Sequence, residues 1–307
     1  MRTRRRVSRG LYNLKRRDRQ TGDAIVPERL VWIFGSARTG STWLGAMMAD
    51  VEGYAWWHEP MVGYLFGHLY YERARGRRRD ENFILGGDKD LWLDPVRRFV
   101  LDSASARFPE LIDGGYLVIK EPHGTLGAPL LSEALPESRM IVLLRDPRDV
   151  ISSKMDAARE GSWAEEAQKR KGQEKKNTSA DTKPDAFVKS QARRYAQLIG
   201  LARQAYDAHE GPKVLVRYED LWAEPLATMR QIYEKLEIPA EERELARVIE
   251  KHAWENIPES KKGAGKFYRK GSPGGWAEDL TPEQVETVES ITAPILERYY
   301  AEDRPPG

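Results

Sequence analysis

The sequence predicts an α/β fold, a mainly parallel sheet flanked by helices, from three observations. Short apolar runs alternate with stretches of helical spacing along the chain. The first run ends in a turn of small residues that opens into a helix. Apolar residues make up 40% of the 307, sufficient for one sizeable core or two small ones.

The elements follow in order. Residues 30–35 (LVWIFG) lie between Pro27 and a Gly/Ser-rich turn and read as a buried strand. Residues 42–50 place Leu44, Met47 and Met48 on one helical face. YAWW (54–57), GYLVIK (115–120), MIVLL (140–144) and KVLVRY (213–218) are the further strands. Helices are expected over 148–158 and over 224–237, the latter with Pro225 in its first turn. A last helical segment covers 282–299, where Pro294 is expected to end or kink it. The charged run 72–82 reads as surface, and the polar stretch 165–185 as a loop with some charged helix.

Composition narrows the function. The 50 basic and 48 acidic residues leave a net charge of +2. Residues 1–19 carry nine basic residues and one acidic, so the remainder sums to −6. That split disfavours a uniformly basic nucleic-acid-binding domain, and no specific nucleic-acid partner is expected. Cysteine is absent, which excludes disulfides, a zinc–thiolate site and a cysteine nucleophile. No apolar stretch has the length of a transmembrane span or a signal peptide, so a cytoplasmic location is expected. The division expected is a basic N-terminal extension, 1–25, and one α/β domain, 26–307.

Three segments carry chemistry. The first is Gly35-Ser36-Ala37-Arg38-Thr39-Gly40-Ser41-Thr42-Trp43. A strand–turn–helix of this kind offers successive backbone N–H groups to an anion, and Thr39, Ser41, Thr42 and Arg38 add donors. It is P-loop-like, but Ser41 stands where a nucleotide-hydrolysing loop needs lysine. The bland reading is a tight turn with a Ser/Thr cap. The second is LRDPRDVISS (144–153), with Arg145 at a strand's carboxyl end and Ser153 two helical turns beyond. The third is GKFYRKGSPGGW (265–276), where Arg269 and Lys270 precede Gly271. Taken singly, the second reads equally as a helix cap and the third as a basic surface loop.

Together these blocks resemble the PAPS-dependent sulfotransferases, which use 3′-phosphoadenosine 5′-phosphosulfate and release PAP. VWIFGSARTGSTWL (31–44) is similar to their 5′-phosphosulfate loop and MIVLLRDPRDVISS (140–153) to their 3′-phosphate segment. VRYEDL (216–221) is similar to a family strand end and FYRKGSPGGW (267–276) to the C-terminal cofactor loop. The resemblance implies a sulfotransferase-like fold and PAPS as cofactor, with no metal required. Arg38, Thr39, Gly40, Ser41 and Thr42 would hold the 5′-phosphosulfate. Trp43 and Tyr218 would lie near the adenine. Arg145 and Ser153, with Arg269, Lys270 and Gly271, would grip the 3′-phosphate.

The reaction implied is in-line transfer of a sulfuryl group to an acceptor hydroxyl or amine. Glu59, in WWHEP (56–60), is the first candidate for the base, and burial beside Trp56 or Trp57 is expected to raise its pKa. His58 is expected to point elsewhere. His123 competes: the family's Lys-x-His segment finds Lys120 here, but Pro122 holds the histidine position and His123 is shifted by one. Lys120 would approach the transferred group, and Glu121 reads as structural. Tyr64, Phe66, Tyr70 and Tyr71 are candidates for an acceptor pocket and equally for helix packing. The acceptor expected is a carbohydrate or small hydroxylated molecule. The alternatives are a P-loop nucleotide kinase or phosphotransferase, and a noncatalytic sulfotransferase-like binding protein. A homodimer has no warrant beyond general frequency.

Overall fold

A computed structural model of the chain describes residues 24–68, 70, 85, 90–170 and 179–301. The charged run 72–82, Tyr71 and all but the last two residues of the basic extension lie outside them. Ile25 is buried and its N–H donates to Ser105 Oγ at 2.9 Å, so the core already includes that residue.

The strand β1 (Leu30–Gly35) is buried along its whole length. Its alternation divides two cores. Leu30, Trp32 and Phe34 face one, while Val31 and Ile33 face the other. The helix α1 (Ser41–Ala49) follows, then β2 (Tyr54–His58), α2 (Asp90–Arg107), β3 (Tyr116–Lys120), α3 (Ala128–Ala134) and β4 (Arg139–Leu144). Beyond them come α4 (Pro147–Ala158), α5 (Trp163–Arg170), α6 (Ser179–Thr182), α7 (Pro184–Ala208) and β5 (Lys213–Arg217). The chain continues through α8 (Tyr218–Ala223), α9 (Pro225–Lys235), α10 (Glu242–Lys251), α11 (Trp276–Asp279) and α12 (Pro282–Tyr299).

All four strand pairings are parallel, in the order β2-β3-β1-β4-β5. Side chains of α2, α3 and α7 fill one core against Trp32, Phe34, Ile119 and Val142. Those of α1, α9 and α10 fill the other against Ile33, Val118 and Ile141. Burial on both faces explains why the strands read as continuous apolar runs rather than alternating ones. Because every strand runs the same way, all five carboxyl ends emerge at one edge of the sheet, where open α/β sheets place ligands.

Four sequence expectations change. The fifth strand stops at Arg217, and Tyr218 opens α8. Pro294 lies within α12 and does not end it, although it removes the hydrogen bond to the Ser290 carbonyl. The stretch 165–185 is largely helix in its described part, in α5, α6 and the start of α7, with 171–178 outside it. The long α7 is absent from the expectations, although Val188, Ala192, Tyr195, Ile199 and Ala202 recur at helical spacing and are buried.

Candidate functional site

Each strand delivers one group to the shared edge. After β1 comes the loop 36–40. Its Thr39 hydroxyl turns inward and donates to the Ser36 carbonyl at 2.8 Å, so it stiffens the turn rather than facing a ligand. Gly40 has φ 87°, and a Cβ there would fall 2.5 Å from the Tyr218 ring. The loop can therefore rest on that ring only with glycine at this position. Arg38, also left-handed at φ 76°, is held in a conformation that a non-glycine residue rarely adopts. The first turn of α1 presents its amides to the same space.

Three guanidinium groups gather beyond this loop. Arg38 donates from Nε to Ser153 Oγ at 2.9 Å and from Nη2 to the Phe267 carbonyl at 2.7 Å. Its plane lies over Phe267 and Trp163. Burial first, then Arg145 and Arg269, bring its pKa down to about 10. Arg145 packs 4.2 Å from the centre of the Tyr218 ring and pairs with Asp149 at 3.7 Å. Its contacts to the carbonyls of Arg38 and Ser272 are long, 3.4 and 3.5 Å, and its buried Nε has no hydrogen-bond partner among the described residues. Arg269 pairs with Asp279 at 2.5 Å. Lys270 turns to Glu278 and Asp279, at 2.8 and 3.2 Å. Gly271 has φ 73°, its carbonyl accepts from the Tyr218 hydroxyl at 2.6 Å, and a Cβ would strike Trp254. Trp43 stands edge-on to Tyr218 and donates from Nε1 to the His252 carbonyl.

The opposite side is organised by Lys120, the last residue of β3. Its buried ammonium contacts Thr42 Oγ1 at 2.9 Å, His58 Nε2 at 3.2 Å and Glu59 Oε1 at 2.6 Å. An ammonium has three donors and no acceptor, so all three are used and His58 carries its proton on Nδ1. Glu59 sits at φ 51° directly after β2, and this turn lets His58 and Glu59 both reach Lys120. The expectation that His58 points elsewhere assumed continued extension and is overturned. The expected rise in the Glu59 pKa is overturned as well. Burial does raise that carboxyl, but the Lys120 hydrogen bond and charge outweigh it, with His123 and His58 adding, and the carboxyl is held below its ordinary range. Burial pulls the Lys120 ammonium down while Glu59 supports it and Arg38 opposes it. His123 is also lowered, by desolvation and by Lys120, Lys154 and Arg194 against Glu59. Glu121 is not among the residues lining the cavity described below. It is buried, accepts from the Val62 N–H at 3.2 Å, and is pushed up to about 7 by that burial.

One cavity of about 300 Å³ is lined by Arg38, Gly40, Ser41, Thr42, Trp43, Glu59, Lys120, His123, Arg145, Ser153, Tyr218, Arg269, Lys270 and Gly271. Of the candidates, only Thr39 stands behind its wall. Trp163, Trp222, Trp254 and Ile257, none of them among the candidates read from the sequence, close the same cavity from α5, α8 and the segment after α10. Their tryptophan content was the available signal. Of the aromatic candidates, Tyr64, Phe66 and Tyr70 do not line it, and Tyr71 lies outside the described residues. Phe66, half-buried at the margin of the core, packs edge-on against the exposed Phe99, Tyr64 is exposed, and Tyr70 borders a separate depression beside His209.

Among solved structures, the chain is similar to the mouse sulfotransferase SULT7A1 complexed with PAP. The TM-score is 0.57 at 12% identity, over 89% of this chain and 87% of that one. It is also similar to sulfotransferase STF9 from Mycobacterium avium, with TM-score 0.51 at 15% identity, over 90% and 78%. Both likenesses are likenesses of fold. No curated protein matches the sequence significantly. Residues 31–242 match the profile of the Sulfotransferase family, a span from β1 to the start of α10 that includes the anion loop, Glu59, Lys120 and the Arg145–Ser153 segment. By that match the chain belongs to the sulfotransferase family.

Proposed function

We propose that the protein transfers a sulfuryl group from PAPS to the hydroxyl or amine of an acceptor. The observation that carries this reading is the convergence on one cavity of three mutually repelling guanidiniums and, across from them, the Lys120–Glu59 pair. Arg145 and Arg269 add to burial in lowering the pKa of Arg38, and bound anionic groups would relieve that repulsion. The poorly partnered Arg145 fits a 3′-phosphate, shared with Ser153, and the anion loop with Thr42 fits the 5′ side. Lys270, already committed to Glu278 and Asp279, would serve by exchanging those partners. PAPS, when bound, supplies the sulfuryl group and a nucleotide phosphate as the leaving group.

The chain's own residues do the rest. Glu59 is the only carboxylate among the described residues lining the cavity, and it is ionised at neutral pH, ready to take the acceptor's proton. Its low pKa makes it a weak base while Lys120 holds it. Release of Lys120 toward growing negative charge would strengthen Glu59 as the proton leaves. Arg38 and the loop amides stand where that charge would be neutralised. His123 remains at the cavity edge as the second candidate base.

A sulfotransferase should bind PAP without added metal, and excess ATP with Mg²⁺ should not displace it. Preferential Mg²⁺-dependent binding of ATP would instead support the kinase reading. Glu59→Gln should keep PAP affinity and lose roughly 10²–10⁴-fold in sulfuryl transfer, measured with labelled PAPS. Unchanged turnover would remove Glu59 from the reaction and leave His123 as the base. PAP binding with no transfer by the wild-type chain to any hydroxylated acceptor would favour a noncatalytic binding protein.

A further inference from the structure

A second cavity, about 550 Å³ in volume, lies against the first. Ala37, Arg38, Pro122, His123 and Trp163 line both, so the two spaces share a wall made of the anion loop and the candidate base His123. The far side belongs to α4 and α7, which contribute Lys154, Gln191 and Arg194, with Arg159 exposed nearby. Neither Lys154 nor Arg194 reaches the first cavity.

The charge in this second space is unbalanced. Lys154 Nζ has a single hydrogen-bond partner among the described residues, Ser36 Oγ at 3.0 Å. Among the described residues, Arg194 makes a single long hydrogen-bond contact, 3.4 Å to Gln197 Oε1. The one carboxylate in the lining, Glu165, is turned to other partners, the Gly161 N–H at 2.6 Å and Lys169 at 3.0 Å. Burial and the nearby charge of Arg194 bring the Lys154 ammonium down to about 8, and no carboxylate offsets them. The same two cations also act on His123. Partly buried cations that repel one another and lack a counter-ion mark a place where an anion is the missing partner.

We propose that this second cavity holds the acceptor, and that Lys154 and Arg194 grip an oxyanion group that the acceptor carries. The acceptor is then a hydroxylated acid, with its anionic end against α4 and α7 and its hydroxyl turned to the shared wall. This deepens the sulfuryl-transfer reading and rests on it. Gln191 adds a neutral polar contact beside the two cations, and Trp163 and Phe187 supply apolar sides for the body of the molecule. The charge also explains why an uncharged acceptor of the same shape should be discriminated against. It would leave both cations without an anionic partner.

Titration calorimetry on the full chain, free and loaded with PAP, tests the assignment with 4-hydroxybenzoate and its uncharged counterpart 4-hydroxybenzamide. The acid should bind about tenfold or more tightly than the amide, the ratio expected of charge-assisted hydrogen bonds. Lys154→Met and Arg194→Met should each bring the ratio close to one. Lys154→Met keeps the aliphatic stem and removes a buried charge, so the fold should tolerate it. Arg194→Met gives an independent reading from a different helix. Equal binding of acid and amide, binding of neither, or an acid preference that survives both substitutions overturns the proposal. So does a loss of PAP affinity in Lys154→Met, because the ammonium would then belong to the nucleotide. Failure of PAP to bind the wild-type chain is a separate result. It would sink the sulfuryl-transfer reading, while the acid–amide comparison on the free protein would still report on the cavity.

Discussion

Lys120 shows how one side chain can set the protonation of a site. Its ammonium holds a hydroxyl of the first turn of α1, an imidazole and a carboxylate at once. Removing it leaves Glu59 with burial as the dominant influence, and burial raises a carboxyl pKa. The sign follows. In the wild type the acidic limb of kcat/KM should lie below the ordinary glutamate value of 4.5, because the base is needed ionised and Lys120 keeps it so. In Lys120→Met the limb should move to higher pH as turnover falls. A pH–rate profile of both proteins measures this, and an unmoved limb would mean that another group controls it. The sequence showed Lys120, Glu59 and His123 as candidates, but not the sign of the Glu59 shift. Tryptophans flank Glu59 locally, whereas the lysine that controls it arrives from a neighbouring strand.

Among the elements, α4 joins the sheet edge to the C-terminal loop. Its N-cap is Asp146, whose carboxylate accepts from the Arg148 N–H at 2.8 Å and stabilises the first turn. One turn further on, the buried Asp149 accepts from the N–H groups of Gly274 and Trp276, at 2.8 and 3.1 Å, while facing Arg145. A single carboxylate therefore ties the second cationic segment to the third. Asp149→Ala should destabilise the protein by roughly 3–5 kcal/mol, the usual effect of leaving a buried charge unpaired. It should also speed amide exchange at Gly274 and Trp276. Denaturant titration and hydrogen exchange read the two effects. A stability loss without faster exchange at those amides would place the role of Asp149 elsewhere. The segments 140–153 and 265–276 were legible separately from their residues. Their junction was not, because Asp149 looks like an ordinary early-helix acid in sequence.

For the whole molecule, a ligand that bridges three segments should act on all of them together. PAP at a hundred times its Kd should stabilise the folded state by about 2.7 kcal/mol and make Tm rise with its concentration. Protection from exchange should appear jointly in 36–42, 145–153 and 265–276. Protection confined to one of them would argue for a simple monophosphate site. The distribution of charge fits this picture. The chain's net +2 combines a basic N-terminal stretch with an acidic-leaning remainder. Within the described structure, cations gather around the two adjoining cavities.

The parallel sheet, the anion loop and the cationic segments are written in the local order of residues. Strands buried on both faces must be continuous apolar runs, and phosphate-binding turns need small residues and donors close together in the chain. Tertiary structure decided what those residues do to each other. It brought His58 and Glu59 onto Lys120, turned Thr39 inward, and set Lys154 and Arg194 in the lining of one cavity with no carboxylate partner among the described residues. Apart from the local turn at Thr39, these relations join residues far apart in the chain, and a group's charge state depends on the neighbours that folding gives it.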